Sequence, residues 1–291
     1  MQKTSISWTD YTSNPIKAIN VETGKKGWFC TKISDGCTNC YASSWNVLRG
    51  NGLEFNAANL PKIDWVLKET EFVEWEMLKQ PSKIFVCDMT DLFHESIPGY
   101  FRRQIFHAMR RAPWHTYQLL TKRSLEMKEF CSSYFGWDKP IPRNIWFGVS
   151  VENRKQLPRI EALKRILSAT HFLSCEPLLE SLGRLNLSDI DWIIAGAESG
   201  PKRRKYDEAW ARELREQCLE QQVAFWYKQG SDRYSGKFDT LDGRKYQEFP
   251  KIIPRCPSHK AELEEDLEDS SKLNCPVCGY GFSYKSGVIW F

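Results

Sequence analysis

Three cysteines near the start of the chain, Cys30, Cys37 and Cys40, share one loop, with six and then two residues between them. Three thiolates from one loop can bind three irons of a 4Fe–4S cubane and leave the fourth iron open to a ligand. Two other readings stand beside this one: a structural zinc site completed by a remote fourth ligand, and no metal at all. Zinc loops usually set one CxxC pair against a second close pair, and no second pair lies near this loop. An aromatic residue, Tyr41, directly follows the last cysteine.

A second group lies far downstream. Cys256-Pro-Ser-His259 and Cys275-Pro-Val-Cys278 form two knuckles about 15 residues apart, a spacing that suits one tetrahedral zinc, with unpaired tail cysteines as the alternative. Gly279-Tyr280-Gly281-Phe282 would supply the turn and aromatic cover of a zinc ribbon. The remaining cysteines, Cys87, Cys131, Cys175 and Cys218, are scattered and read as small core residues.

Composition favours metal over disulfides. The chain has 291 residues, enough for one large domain plus an appendage, and 41% of them are hydrophobic, as in a globular protein. No apolar run approaches the roughly 18–20 residues that span a bilayer, and the first residues lack an apolar signal core. The expected address is the cytoplasm with no membrane partner, where clustered cysteines bind metal or do redox chemistry. The net charge of +4 excludes a strongly basic nucleic-acid binder but hides a compact run, Lys202-Arg203-Arg204-Lys205. Such a run binds phosphates or is simply a solvated loop.

These residues need elements to position them. Short apolar runs at 84–86, 117–120, 145–149, 171–173, 192–195 and 224–227 alternate with helical patterns near 99–112, 124–131, 155–167 and 207–222. Continuous apolar strands between helices imply parallel βα units. Ile6-Ser7-Trp8 would be the first strand and 38–49 the helix after the cysteines. The expected fold is α/β, a complete or partial TIM-like βα barrel over 1–230, followed by an irregular extension over 231–253 and a zinc-ribbon module over 254–291. An open doubly wound sheet is the alternative.

The strand ends favour the barrel. They carry Asp88 and Asp91, Lys122 and Arg123, Ser150 and Glu152, Glu176, Glu198, and Lys228. In a βα barrel such ends converge on one mouth, where active sites sit.

The ordered motifs Ile6-Ser7-Trp8-Thr9-Asp10, Gly36-Cys37-Thr38-Asn39-Cys40-Tyr41-Ala42, Asp91-Leu92-Phe93-His94-Glu95, Leu120-Thr121-Lys122-Arg123, Gly148-Val149-Ser150-Val151-Glu152 and Gly196-Ala197-Glu198-Ser199-Gly200 resemble a phage-associated three-cysteine-motif family of unknown function. The resemblance spans roughly 5–250, and that family is similar to radical S-adenosylmethionine (SAM) barrels. This chain departs from the family in Ala197, where a second glycine is expected, in a longer stretch between Pro15 and Cys30, and in the added C-terminal module. Its six-then-two cysteine spacing also departs from the three-then-two spacing commonest among radical SAM proteins.

The resemblance implies a 4Fe–4S cluster on Cys30, Cys37 and Cys40, with SAM bound at its open iron. Asp88 or Asp91 would receive the SAM amino group, and Ser150 and Glu152 would meet the ribose. Lys122, Arg123 and Lys228 would bind the SAM carboxylate or a substrate phosphate, and Glu198 the adenosine or substrate. His94 would be a proton donor or a buried structural residue, and Glu176 a mouth carboxylate or a strand-end anchor. The implied partners are an electron donor protein and a protein encoded nearby.

The leading expectation is therefore a radical SAM enzyme that modifies or repairs a nucleic acid or nucleotide. A non-catalytic, metal-stabilised nucleic-acid-binding barrel is the second reading, and a radical SAM enzyme acting on a peptide or small metabolite is the third.

Overall fold

The six apolar runs become parallel strands in a computed structural model, which describes residues 1–136, 141–167 and 170–250 together with four short strands beyond them. The early strands are β1 (Gln2–Lys3), β2 (Tyr11–Ser13), β3 (Ile16–Asn20), β4 (Lys26–Gly27) and β5 (Ile63–Leu67), with helices α1 (Tyr41–Arg49) and α2 (Thr70–Met77). There follow β6 (Lys83–Val86), α3 (Gly99–Arg111), β7 (Thr116–Thr121), α4 (Ser124–Phe135), β8 (Ile145–Ser150) and α5 (Pro158–Leu163). The series ends with β9 (His171–Cys175), β10 (Trp192–Gly196), α6 (Glu208–Glu220) and β11 (Ala224–Gln229).

The main sheet has eight strands in the order β1-β2-β6-β7-β8-β9-β10-β11. From β2 onward all neighbours are parallel, while β1 pairs antiparallel with β2. The strands follow one another in sequence order, without the reversal that defines a doubly wound sheet. All six residues of β8 and all five of β9 and β10 are buried, as expected for strands covered on both faces. On α3, Phe101, Ile105, Phe106 and Met109 form the buried stripe, and Arg110 and Arg111 meet the negative end of the helix dipole. Cys87, Cys131, Cys175 and Cys218 are all buried, as expected of core residues.

Of the complete or partial barrel expected, the complete form is not what the described residues make. The sheet is open: among the described residues no ladder joins β11 to β1 or β2. It is nevertheless strongly curled. The Trp8 ring lies 4.9 Å from Phe85 on β6 and 6.1 Å from Trp192 on β10. Those two rings are therefore within about 11 Å of each other, whereas strands four positions apart in a flat sheet are separated by about 19 Å.

Trp8 was expected in a strand. It lies instead in a turn, because its indole is worth more as a plug: it fills one end of the curl among Phe85, Trp146, Phe172, Trp192, Ile194 and Trp226. Its carbonyl accepts from the buried Gln118 amide at 3.3 Å, and the neighbouring Ser7 hydroxyl accepts from the Trp226 indole at 3.3 Å.

The extension after β11 covers the free sheet edge. Tyr227 N–H donates to the Tyr246 carbonyl, Glu248 N–H donates to the Phe225 carbonyl, and Trp226 bridges to Gln247. Phe249 then packs on Trp192 at 5.3 Å and on Trp226 at 5.0 Å, with the Lys83 ammonium 4.7 Å above its ring. Four short antiparallel strands follow at Glu264–Glu265, Lys272–Asn274, Gly281–Ser283 and Ile289–Trp290. Cys256, His259, Cys275 and Cys278, the expected zinc ligands, lie outside the described residues.

The crossover from β2 to β6 is the longest in the sheet. It holds a separate antiparallel sheet, β4-β3-β5, together with the cysteine loop and α1. Trp8→Ala should destabilise the fold by about 3–5 kcal/mol, because the neighbouring strands cannot collapse onto the vacated space. Urea unfolding should show a lower midpoint at unchanged m; a midpoint within error of the parent would refute the plug.

Candidate functional site at the strand ends

Parallel strands bring their C-terminal ends to one edge, and the cysteine loop lies across that edge. Five polar strand-end groups grip it. Arg123, after β7, is the most heavily used. Its Nη2 donates to Thr31 Oγ1 at 2.7 Å and to the Thr31 carbonyl at 3.2 Å. Its Nη1 lies 3.5 Å from Cys30 Sγ and 3.2 Å from Asp91 Oδ2, and its Nε donates to Glu95 Oε2 at 2.8 Å. Asp91 in turn accepts from the Thr121 hydroxyl at 2.6 Å and from Lys122 N–H at 3.1 Å.

His94 supports the same point. The Ser96 N–H donates to its Nδ1, so its proton sits on Nε2 and is donated to Thr31 Oγ1 at 2.9 Å. Burial, and then the Arg123 charge, push the His94 pKa down to about 4. This favours the buried structural role over that of proton donor.

Glu152 and Glu198 hold the far side of the loop. Glu152, fully buried, accepts Gly36 N–H at 3.2 Å and Arg159 Nη1 at 2.9 Å. A Cβ on residue 36 would stand 2.9 Å from that carboxylate, so the loop can approach only as glycine. Asn153 adds a 2.9 Å bond to Asp35. Glu198 accepts from Asn39 Nδ2 at 3.0 Å and from Arg204 through its backbone N–H, Nε and Nη2. Burial opposes its ionisation, but these donors hold it below the usual carboxylate range. Arg204 also donates to the Asp35 carbonyl at 2.8 Å.

Four of the expected side chains make none of these loop bonds and pair with one another instead. Lys122 Nζ donates to Ser150 Oγ at 3.2 Å, and Lys228 Nζ lies 3.1 Å from Glu176 Oε1. Gly196 leaves room for the second pair, since a Cβ there would come 2.8 Å from Glu176 Oε1. Asp88 accepts from Asn14 at 2.6 Å, and its carbonyl accepts the Tyr41 hydroxyl at 2.9 Å. Burial raises the Asp88 carboxyl above its ordinary value, with Asn14 acting against the shift.

Burial pushes Cys30 up to about 12, Asp91 adds to the shift and Arg123 opposes it, while Cys40 and Cys37 lie near enough to contribute. Among the described residues, no three His, Cys, Asp or Glu side chains are gathered as a group that could hold a metal ion. The donor set is compatible with a cluster: the soft ligands come from one loop, and a guanidinium N–H points at one sulfur, a kind of contact that tunes thiolate-held iron.

Sequence reasoning placed Arg123, Asp91, His94, Glu152 and Glu198 at the mouth but missed that Arg123, His94, Glu152 and Glu198 grip the loop while Asp91 holds Arg123. It also missed Thr31, Gly36, Asn39, Asn153 and Arg159. Asn39 lies inside the three-cysteine motif, which was the one available signal. Arg204 was read as part of a run that binds phosphates or is a solvated loop, whereas the structure pairs it with Glu198.

Arg123→Leu leaves the buried Asp91 carboxylate without its cation and should cost about 3–5 kcal/mol. Iodoacetamide labelling of Cys30 should then rise by at least about tenfold as the loop loosens, and an unchanged rate would remove Arg123 as the anchor. His94 has a folded pKa of about 4 against 6.5 when unfolded. Over that interval the unfolded chain binds more protons, so stability should fall as pH drops from 6.5 toward 4. A ring-resonance titration by NMR should give a midpoint near 4; one near 6.5 would show a solvated ring.

No curated protein and no solved structure matches the chain. A family model described as protein of unknown function (DUF5131) matches residues 3–250, and the chain belongs to that family.

Proposed function

We propose that this protein is a radical SAM enzyme acting on a nucleic acid or nucleotide, with Cys30, Cys37 and Cys40 as ligands of a 4Fe–4S cluster. The observation that carries the reading is the cysteine loop itself, held against the ends of β6, β7, β8 and β10 and met by the Arg123 guanidinium at Cys30. When bound, the cluster supplies the electron that splits a sulfonium C–S bond of SAM, giving methionine and a 5′-deoxyadenosyl radical.

The chain's own residues bind and orient. Lys122, anchored on Ser150, keeps two further N–H groups for a carboxylate or phosphate. Glu176 and Lys228 offer an acceptor and a donor side by side, and Asp88, with Asn14 on one oxygen, has the other for an amino group. The basic run supports a polyanionic substrate: the Lys202 carbonyl accepts from Asn39 of the cysteine loop at 2.8 Å, and Lys202, Arg203 and Lys205 are exposed beside it.

A second reading, a nucleic-acid-binding protein without catalysis, has its own support. The loop's clamp is satisfied by hydrogen bonds alone, and no metal-holding group is gathered among the described residues.

Anaerobic reconstitution with iron and sulfide separates the two. The first reading expects a brown protein absorbing near about 400 nm that releases 5′-deoxyadenosine when reduced with SAM, with both signals lost in Cys30→Ser. A colourless protein that binds oligonucleotides in a salt-sensitive manner would overturn the first reading and establish the second.

A further inference from the structure

A pocket of about 550 Å³ lies on the outer face of the β4-β3-β5 sheet, on the same chain segment as the cysteine loop. Alternation along β3 explains its lining. Ile16, Ala18 and Asn20 face inward, which turns Lys17 and Ile19 outward. Lys17 is paired in register with Val66 and Ile19 with Lys26, so lysines and aliphatic side chains interleave. Trp28 and Lys68 complete the wall, and Glu69 is the acid on its rim.

The charges in this pocket are not balanced. Lys17 Nζ stands 4.2 Å above the Trp28 ring. Among the described residues neither Lys17 nor Lys26 forms an ion pair, whereas Lys68 pairs with Glu71 at 2.9 Å. An ammonium half withdrawn from water against an indole face, with no carboxylate in direct contact and Glu71 and Asp88 acting only from farther off, is better satisfied when an anion arrives. Burial does lower the Lys17 pKa, the Glu71 charge working against it. The aliphatic patch of Ile19 and Val66 beside these cations calls for a ligand with an apolar or flat portion next to its charge. A nucleotide has both, in its phosphate and its sugar and base.

We propose that this pocket binds two backbone phosphates of a single nucleic-acid strand, one at Lys17 and one at Lys26, and so anchors the strand beside the cysteine loop. Trp28 and Cys30 are two residues apart, so their Cα atoms are separated by at most about 7 Å. A strand seated in the pocket is thereby directed toward the loop. The inference deepens the nucleic-acid part of the proposed function and does not depend on the cluster.

The test uses the full chain as purified, without iron, and a fluorescein-labelled oligothymidylate followed by anisotropy across a salt series. Lys17→Met with Lys26→Met should weaken binding about tenfold and flatten the salt slope by about 1.4, the share of two phosphate contacts on a single strand. Lys26→Met alone, at an exposed strand position, should show half that change in slope and guards against misfolding of the double variant. Unchanged affinity and slope in both variants overturn the pocket. If binding falls in Lys202→Met with Lys205→Met but not in the pocket variants, the nucleic-acid reading stands and this inference fails. Full competition by millimolar inorganic phosphate would show that the pocket takes a free anion and overturn the strand assignment. Competition by unlabelled oligonucleotide alone supports it.

Discussion

A guanidinium taken out of water must have its N–H groups met, and at Arg123 they are met by partners from two other parts of the chain. Asp91 and Glu95 follow β6, Arg123 itself follows β7, and Thr31 and Cys30 belong to the cysteine loop. The penalty for leaving any one of them unpaired in a buried setting exceeds what a surface ion pair contributes. The three segments therefore keep one relative position. The neutral His94 ring and the Asp91 carboxylate are arranged around the same demand, and so the cysteine motif is fixed to the sheet rather than suspended above it.

That arrangement changes the meaning of the polar strand ends. A row of charged residues at the ends of parallel strands invites assignment to a ligand. Here it divides into two kinds. Glu152, Glu198, Arg123 and His94 are occupied by the loop, and Asp91 stands behind them as the partner of Arg123. Lys122 pairs with Ser150 and Lys228 with Glu176, through two contacts that a ligand can share. The closely approached glycines mark the two kinds in turn, Gly36 against Glu152 and Gly196 against Glu176.

Much of the sheet was legible in the sequence because its strands are continuous apolar runs between helices, a pattern with few other solutions. The positions of β6 through β11 and of α3 and α6 follow from it. Trp8 misled for a physical reason: a short apolar triplet carries no length signal, and only the tertiary curl gives its indole a place. Closure was illegible as well, since β1 spans only two residues and the edge of β11 is covered by residues 246–248 rather than by a strand of the sheet. The clamp was hidden because Gly36, Asn39 and Thr31 are small groups whose partners lie far away in the chain. Glu152 is 116 residues from Gly36, and Glu198 is 159 from Asn39.

Phe249 has a geometric consequence for how such a chain tolerates additions. It packs where β6 and β10 begin, against Lys83 and Trp192, and so belongs to the end of the sheet opposite the cysteines. The family match stops one residue later, at 250. The matched body thus ends, among the described residues, with Phe249 fastened at the rear. Residue 250 therefore lies next to the end of the sheet opposite the strand ends where Cys30, Cys37 and Cys40 are held, so an addition joined at that point starts away from them.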